Sequence, residues 1–122
     1  FERKYEYQYE KILDVERMKE AASYLIGTHD FTSFCGNKKM KKTAVRTIYE
    51  INFTKKGNDL WIDYRGNGFL QNMVRILTGT LIEVGDGRRA PEELPQILES
   101  KNRENAGYTA PACGLMLMEV HY

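Results

Sequence analysis

The chain has 122 residues, 42% hydrophobic and 29% charged, the balance of one globular domain around a single core. A net charge of +1 excludes a protein that coats nucleic acid by bulk charge, and no apolar run is long enough to span a bilayer, so a cytoplasmic protein is expected. Cys35 and Cys113 lie far apart without metal-ligand spacing, so no metal site is expected; two reduced thiols are the adopted reading and one disulfide the alternative.

The first residues, Phe1-Glu2-Arg3-Lys4, carry charge and no apolar segment follows, unlike a signal peptide. A start at Phe1 rather than at methionine is expected of a fragment. From Lys4 to Lys11, Tyr5, Tyr7 and Tyr9 alternate with Lys4, Glu6, Gln8 and Glu10, a period of two that predicts an extended, half-buried edge strand. Asp14 is placed to cap a helix, with Leu13 and Met18 as a hydrophobic staple across the cap. Val15, Met18, Ala22 and Leu25 form its buried face, and Gly27 is suited to end it in a left-handed conformation.

The stretch from Gly27 to Phe34 has no clear period and reads as a packed loop. His29 beside Asp30 could suggest acid–base chemistry, but with no third partner a hydrogen-bonded structural histidine is the default. From Phe31 to Tyr49 there is no acid, while Lys38, Lys39, Lys41, Lys42 and Arg46 cluster there. Composition alone favours a solvated loop; the sharper reading is a phosphate-facing patch. Val45, Thr47, Tyr49, Ile51 and Phe53 then alternate with Arg46, Ile48, Glu50, Asn52 and Thr54. Leu60, Ile62 and Tyr64 alternate with Trp61, Asp63 and Arg65, and the Lys55–Asp59 turn makes the pair an antiparallel hairpin.

Gly66-Asn67-Gly68 releases the chain from the sheet into the helix that organises the domain. Leu70, Met73, Leu77, Leu81 and Val84 fall on one stripe, widened by Phe69, Val74 and Ile76. Arg75 points away from that stripe, among Gln71, Asn72 and Thr78, toward solvent or a partner. Gly85 to Arg89 closes the helix and leaves a second basic spot at Arg88 and Arg89. Pro91, Glu92 and Glu93 open a short helix that buries Leu94, Ile97 and Leu98, with Pro95 early enough to be tolerated. After a polar loop, Leu115 to Tyr122 reads as a strand apolar on both faces, as an interior strand would be. The order implies an α+β domain of ferredoxin-like, split β-α-β topology, with a mixed or antiparallel sheet and helices on one face. A single domain over 1–122 is expected.

Several stretches resemble the tRNA pseudouridine synthase A family. They are Gly68-Phe69-Leu70-x-x-Met73-Val74-Arg75-x-x-x-Gly79-x-Leu81-x-x-Val84-Gly85, Gly27-x-His29-Asp30-Phe31-x-x-Phe34, Val45-Arg46-Thr47-Ile48, and Arg103 followed by Thr109-Ala110-Pro111-Ala112-x-Gly114-Leu115-x-Leu117. The match is to the C-terminal half of the family's enzyme. The resemblance implies an isomerase that converts uridine to pseudouridine in the anticodon arm of tRNA, without metal or cofactor, as a homodimer. It implies that the essential aspartate lies in a missing N-terminal half, within a Gly-Arg-Thr-Asp-x-Gly-Val-His stretch that this chain lacks. The fragment alone is therefore expected to be inactive.

Two site residues carry over from the resemblance: Arg75, the arginine that pairs with the catalytic aspartate, and Leu115, which lines the uracil pocket. Lys38, Lys39, Lys41, Lys42, Arg46, Arg88 and Arg89 are the candidate phosphate contacts. Arg3-Lys4-Tyr5-Glu6-Tyr7 spells the family's Arg-x-Tyr-x-Tyr segment, but it runs almost directly into the Asp14 helix, whereas the family's segment lies well upstream. Its tyrosine is not carried over. The alternative class is a non-catalytic RNA-binding or dimerisation module of similar topology. Trp61 with Asp63 and Arg65 does not resemble the aromatic pair of an RNA-recognition module, and a dimerisation module has no need of an outward Arg75.

Overall fold

The computed structural model describes residues 2–8, 13–36, 43–56, 59–70, 72–110 and 115–118, with backbone alone for 2–8, 55, 56, 59 and 115–118. Along the chain run β1 (Glu2–Gln8), α1 (Val15–Ser23), β2 (Gly27–Asp30), β3 (Val45–Lys56), β4 (Asp59–Gly66), α2 (Met73–Gly85), α3 (Glu93–Ser100) and β5 (Leu115–Met118). Short 3-10 turns occupy Thr32–Phe34 and Arg103–Asn105. This is an α+β domain. Its described strands form one sheet in the order β2-β3-β4-β1-β5, and every described pairing is antiparallel.

Three expectations change here. The Gly27–Asp30 stretch is a strand on the edge of the sheet, paired to β3 from Gly27↔Ile48 to Asp30↔Val45. β1 is an interior strand, flanked by β4 and β5, and β5 lies at the other edge of the described sheet. The physical reason is that alternation reports which face of a strand is covered. It carries no information about whether the strand's lateral hydrogen-bonding groups have neighbours on both sides.

The β3–β4 hairpin forms as its alternation predicts, with one interruption. Between Ile48↔Gly66 and Glu50↔Arg65, β3 advances two residues for one on β4, so Tyr49 is a bulge residue. The bulge reverses the face parity of β3. Ile48 is fully buried, and Ile51 and Phe53 pack on the core beyond it, whereas Val45 and Tyr49 are exposed. The expectation that Val45, Thr47, Tyr49, Ile51 and Phe53 share one face fails at this residue.

Leu60, Ile62 and Tyr64 of β4 are completely buried and face α2, where the Tyr64 hydroxyl meets the Thr78 hydroxyl at 2.7 Å. Thr78 is thus inside the protein, not on an outer face with Arg75. It also donates to the Val74 carbonyl at 2.7 Å, which satisfies a buried polar group within the helix. The stripe residues Leu70, Met73, Leu77, Leu81 and Val84 are all buried.

α1 packs across the far end of α2. Asp14 caps α1 by accepting from the Arg17 amide at 3.2 Å, and Leu13 and Met18 are both buried beside the cap. A Cβ on Gly85 would lie 2.7 Å from Met18 Sδ, so any other residue here would require the Met18 side chain to move. The last carbonyls of α2 find donors in α1: the Asp14 amide reaches Gly85 O at 2.9 Å and Arg17 Nε reaches Val84 O at 3.4 Å. This contact fixes α2 lengthwise, and with it the position of Arg75 at the other end.

Candidate active site

Arg75 sits in the first turn of α2, half-buried. Its Nε donates to the Ala110 carbonyl at 2.7 Å, and its Nη1 donates to Asn72 Oδ1 at 3.2 Å. The Ala110 amide returns a bond to the Arg75 carbonyl at 3.0 Å. The guanidinium is therefore tied by two neutral oxygens, one from the turn before the helix and one from the segment that leads to β5.

That segment, residues 103–110, lies across α2 as a strap. Two glycines allow its close approach. A Cβ on Gly79 would collide with the Tyr108 carbonyl, and a Cβ on Gly107 would lie 2.8 Å from Thr80 Cα. The Gly107 amide donates to Thr80 Oγ1 at 2.9 Å, and Thr80 Oγ1 donates to the Ile76 carbonyl at 2.9 Å. Arg103 closes the strap on itself, with Nη1 to the Gly107 carbonyl at 2.8 Å and Nη2 to Thr109 Oγ1 at 3.1 Å. Gly79, Arg103, Thr109 and Ala110 all belong to the stretches singled out in the sequence. Together they seat the strap so that the Ala110 carbonyl lies against Arg75 Nε.

The electrostatic consequence follows from the type of acceptor. Among the described residues, Arg65 pairs with Glu50 at 3.3 Å, Arg88 with Asp86 at 2.7 Å, and Arg89 with Glu83 at 2.5 Å. Arg75 pairs with no carboxylate among them. A carbonyl orients a guanidinium without cancelling its charge, so among the described residues nothing offsets the charge of Arg75, and donors on Nη1 and Nη2 remain unused.

Arg17 and Arg103 are also tied to neutral oxygens, and so is Arg46. Its Nη1 donates to the Thr43 and Val45 carbonyls at 2.7 and 2.8 Å, and its Nε would lie 3.8 Å from a Cβ on Gly68. Arg46 and Arg75 therefore border the same 66–72 segment, Arg46 from β3 and Arg75 from α2. Asn67 holds that segment to β3, receiving the Thr47 amide on Oδ1 at 2.9 Å and donating its own amide to the Thr47 carbonyl at 3.0 Å. Lys38, Lys39, Lys41 and Lys42 lie outside the described residues.

Leu115 opens β5, five residues beyond Ala110, and stands opposite Tyr5 in the β1–β5 register. Tyr5 stands opposite Ile62 on its other side. The segment set aside on grounds of spacing thus pairs with the start of the strand that carries Leu115. Arg88 and Arg89 are elsewhere: α2 ends about 15 Å along its axis from Arg75. The Asp86 bond raises the Arg88 pKa above the ordinary arginine range. Arg89 also lies 3.8 Å from Glu93, and its carbonyl accepts from Arg17 Nη2 at 3.0 Å. A groove of about 290 Å³ beside it, lined by Arg89, Glu93, Gln96, Ile97 and Asn105, shares no residue with the surroundings of Arg75.

His29 and Asp30 do not form an acid–base pair. His29 Nε2 contacts the Ile26 carbonyl at 2.9 Å, and its ring meets Phe31 edge-on at 5.8 Å. Asp30 accepts from the Thr32 hydroxyl and, at 3.0 Å, from the Thr32 amide. Cys35 is buried, and Cys113 lies outside the described residues. Among the described residues no cluster of three His, Cys, Asp or Glu side chains could hold a metal ion, and no helix is long and apolar enough to cross a membrane.

Asn72, Ala110 and Arg103 received no site role from the sequence. An asparagine before a helix reads as a cap, and a backbone carbonyl leaves no mark in side-chain chemistry.

A family profile described as tRNA pseudouridine synthase matches residues 21–122. The chain is 56% identical to a tRNA pseudouridine synthase A of Brevibacillus brevis over 110 residues, covering 90% of this chain and 45% of that protein. It is 51% identical to a tRNA pseudouridine synthase A 1 of Bacillus cereus and 50% identical to a tRNA pseudouridine synthase A of Bacillus subtilis, each over all 122 residues and 49% of the relative. The chain thus spans about half the length of the curated relatives it matches.

Proposed function

We propose that this chain, which belongs to the tRNA pseudouridine synthase A family, is the C-terminal half of an enzyme that isomerises uridine to pseudouridine in the anticodon arm of tRNA. The observation that carries the reading is Arg75, a half-buried guanidinium oriented by two neutral oxygens and paired with no carboxylate among the described residues. A cation held this way suits an acid supplied from outside the chain. In the reaction the bond from ribose to N1 of uracil breaks, the base turns, C5 joins the ribose and gives up its proton, and N1 takes up a proton in exchange. The base must leave its stack to reach such a site. An aspartate beside a desolvated base needs a partner to stay ionised, and Arg75 fills that role. Leu115 forms part of the wall against uracil.

The backbone register that sets Tyr5 opposite Leu115 supports a place for its strand beside the proposed site, although the segment's short distance from the Asp14 helix still departs from the family's spacing. Arg46 and the lysines before it are the preferred phosphate contacts; Arg88 and Arg89 rank below them because Asp86 and Glu83 already take up their charge. The ferredoxin-like reading is supported by the strand order. With β2 set aside as an added edge strand, the remaining order is β5-β1-β4-β3, in which β4 separates β1 from β3 as a split β-α-β unit requires. The partners in this reading are tRNA, the N-terminal half, and a second copy in a homodimer.

The test is release of tritium from tRNA labelled at C5 of its uridines. The complete synthase releases tritium, Arg75→Ala in it falls to background while its fold is kept, and this chain alone releases none. Turnover by the chain alone, or near-normal turnover by the Arg75→Ala enzyme, overturns the reading.

A further inference from the structure

We propose that Asn72 is a positioning residue, held in a strained backbone conformation so that its side-chain carbonyl can aim the guanidinium of Arg75. The inference rests on the reading of Arg75 given above and extends it to a residue with no assigned role.

Asn72 occupies the N-cap position of α2 with φ of 59° and ψ of 8°, in the left-handed region. An N-cap residue is ordinarily extended there and accepts an amide of the first turn on its side chain. Asn72 does neither: it makes no side-chain cap bond. Its Oδ1 instead accepts from Arg75 Nη1 at 3.2 Å. The left-handed conformation disfavours any residue with a Cβ, asparagine less than most. Glycine would relieve that strain and would cost a cap nothing, because no cap bond exists to lose. The position therefore forgoes the residue best suited to its backbone and retains one with a carbonyl.

The geometry explains what that carbonyl contributes. The Ala110 carbonyl fixes Nε alone, which leaves the guanidinium plane free to pivot about that bond. A second acceptor on Nη1 removes the pivot. Both acceptors are neutral, so the plane is fixed without loss of charge, and Nη2 with the second proton of Nη1 is turned toward an incoming carboxylate. Anchors on Nε and on Nη1 hold the plane of the fork from two sides, which is the pre-organisation that carboxylate recognition by the remaining Nη donors needs.

Two substitutions separate this role from a backbone role. Asn72→Gly and Asn72→Ala remove the same carbonyl. Glycine relieves the left-handed strain and alanine increases it, so the Tm of the glycine variant is at or above the parent's and that of the alanine variant is below it. Made in the complete synthase and assayed by tritium release at saturating tRNA, both variants are expected to lose about ten- to a hundred-fold in kcat with KM for tRNA within about two-fold of the parent. Activity that follows Tm instead, with the glycine variant near the parent and only the alanine variant impaired, overturns the proposal. Arg75→Ala in the same assay keeps the two readings apart. If it retains activity, the role of Arg75 itself fails; if it is inactive while Asn72→Gly is not, only the role of Asn72 fails.

Discussion

Asp30 gathers three bonding partners at the end of β2. The Thr32 hydroxyl bond is the largest influence on its carboxyl, with the Thr32 amide and Lys101 at 3.9 Å assisting against partial burial, and together they hold its pKa below the ordinary aspartate range. A carboxyl whose pKa is lower folded than unfolded contributes stability above its unfolded value, near pH 4, and that contribution disappears as pH falls through the folded value. The group is a third exposed, so the effect is below about 1 kcal/mol. Urea unfolding should show the parent more stable than Asp30→Asn at pH ~7 and the gap closed near pH ~2; a gap that persists in acid contradicts this account. At this scale the sequence was legible where a side chain acts on its own neighbourhood. The Asp14 cap and the structural role of His29 follow from residues close by in the chain. Asn72 was not legible, because its partner is chosen by a backbone angle that its sequence neighbours do not reveal.

Among the elements, α2 was the most legible, since an apolar stripe at helical period marks a helix laid against a core; its start was not, because the stripe runs from Leu70 while the helix begins at Met73, after the left-handed Asn72. What the pattern could not show was that its other face is buried as well. The strap covers that face through backbone contacts at Gly79 and Gly107, and glycines contribute nothing to a hydrophobic pattern. Gly79→Ala tests this packing. The new methyl falls on the Tyr108 carbonyl, whose neighbours Gly107 and Thr109 are both held by Arg103, so the helix and strap cannot both keep their places. A loss of about 2 kcal/mol or more is expected in urea unfolding, with loss of activity in the complete synthase as Ala110 moves off Arg75. A change under about 0.5 kcal/mol would mean that the strap is not seated as described. β2 and the order of strands were hidden for a related reason. They are set by lateral backbone pairing, and neither the aperiodic Gly27–Asp30 stretch nor the two-faced apolar β5 announces its neighbours.

For the molecule as a whole, bulk charge was a poor guide. A net charge of +1 conceals a division between arginines matched to carboxylates, such as Arg65, Arg88 and Arg89, and arginines tied to neutral oxygens, such as Arg46 and Arg75. Arg17 and Arg103 are held by neutral oxygens as well, at the far end of α2 and within the strap, so what sets Arg46 and Arg75 apart is their place beside the 66–72 segment, where the proposed reading needs uncancelled charge. That division depends on three-dimensional contacts, so composition favoured a solvated loop; helical periodicity marked Arg75 as lying off the apolar stripe, and only the family resemblance gave it and Leu115 a role.

The central claim is that catalysis needs the fork of Arg75 and not merely a positive charge at its position. Arg75→Lys in the complete synthase, followed by single-turnover tritium release, tests it most directly. One ammonium cannot hold the Ala110 and Asn72 oxygens and also present two parallel donors to a carboxylate. The account predicts a rate at least about a hundred-fold below the parent with tRNA still bound; a rate within about three-fold of the parent would contradict it.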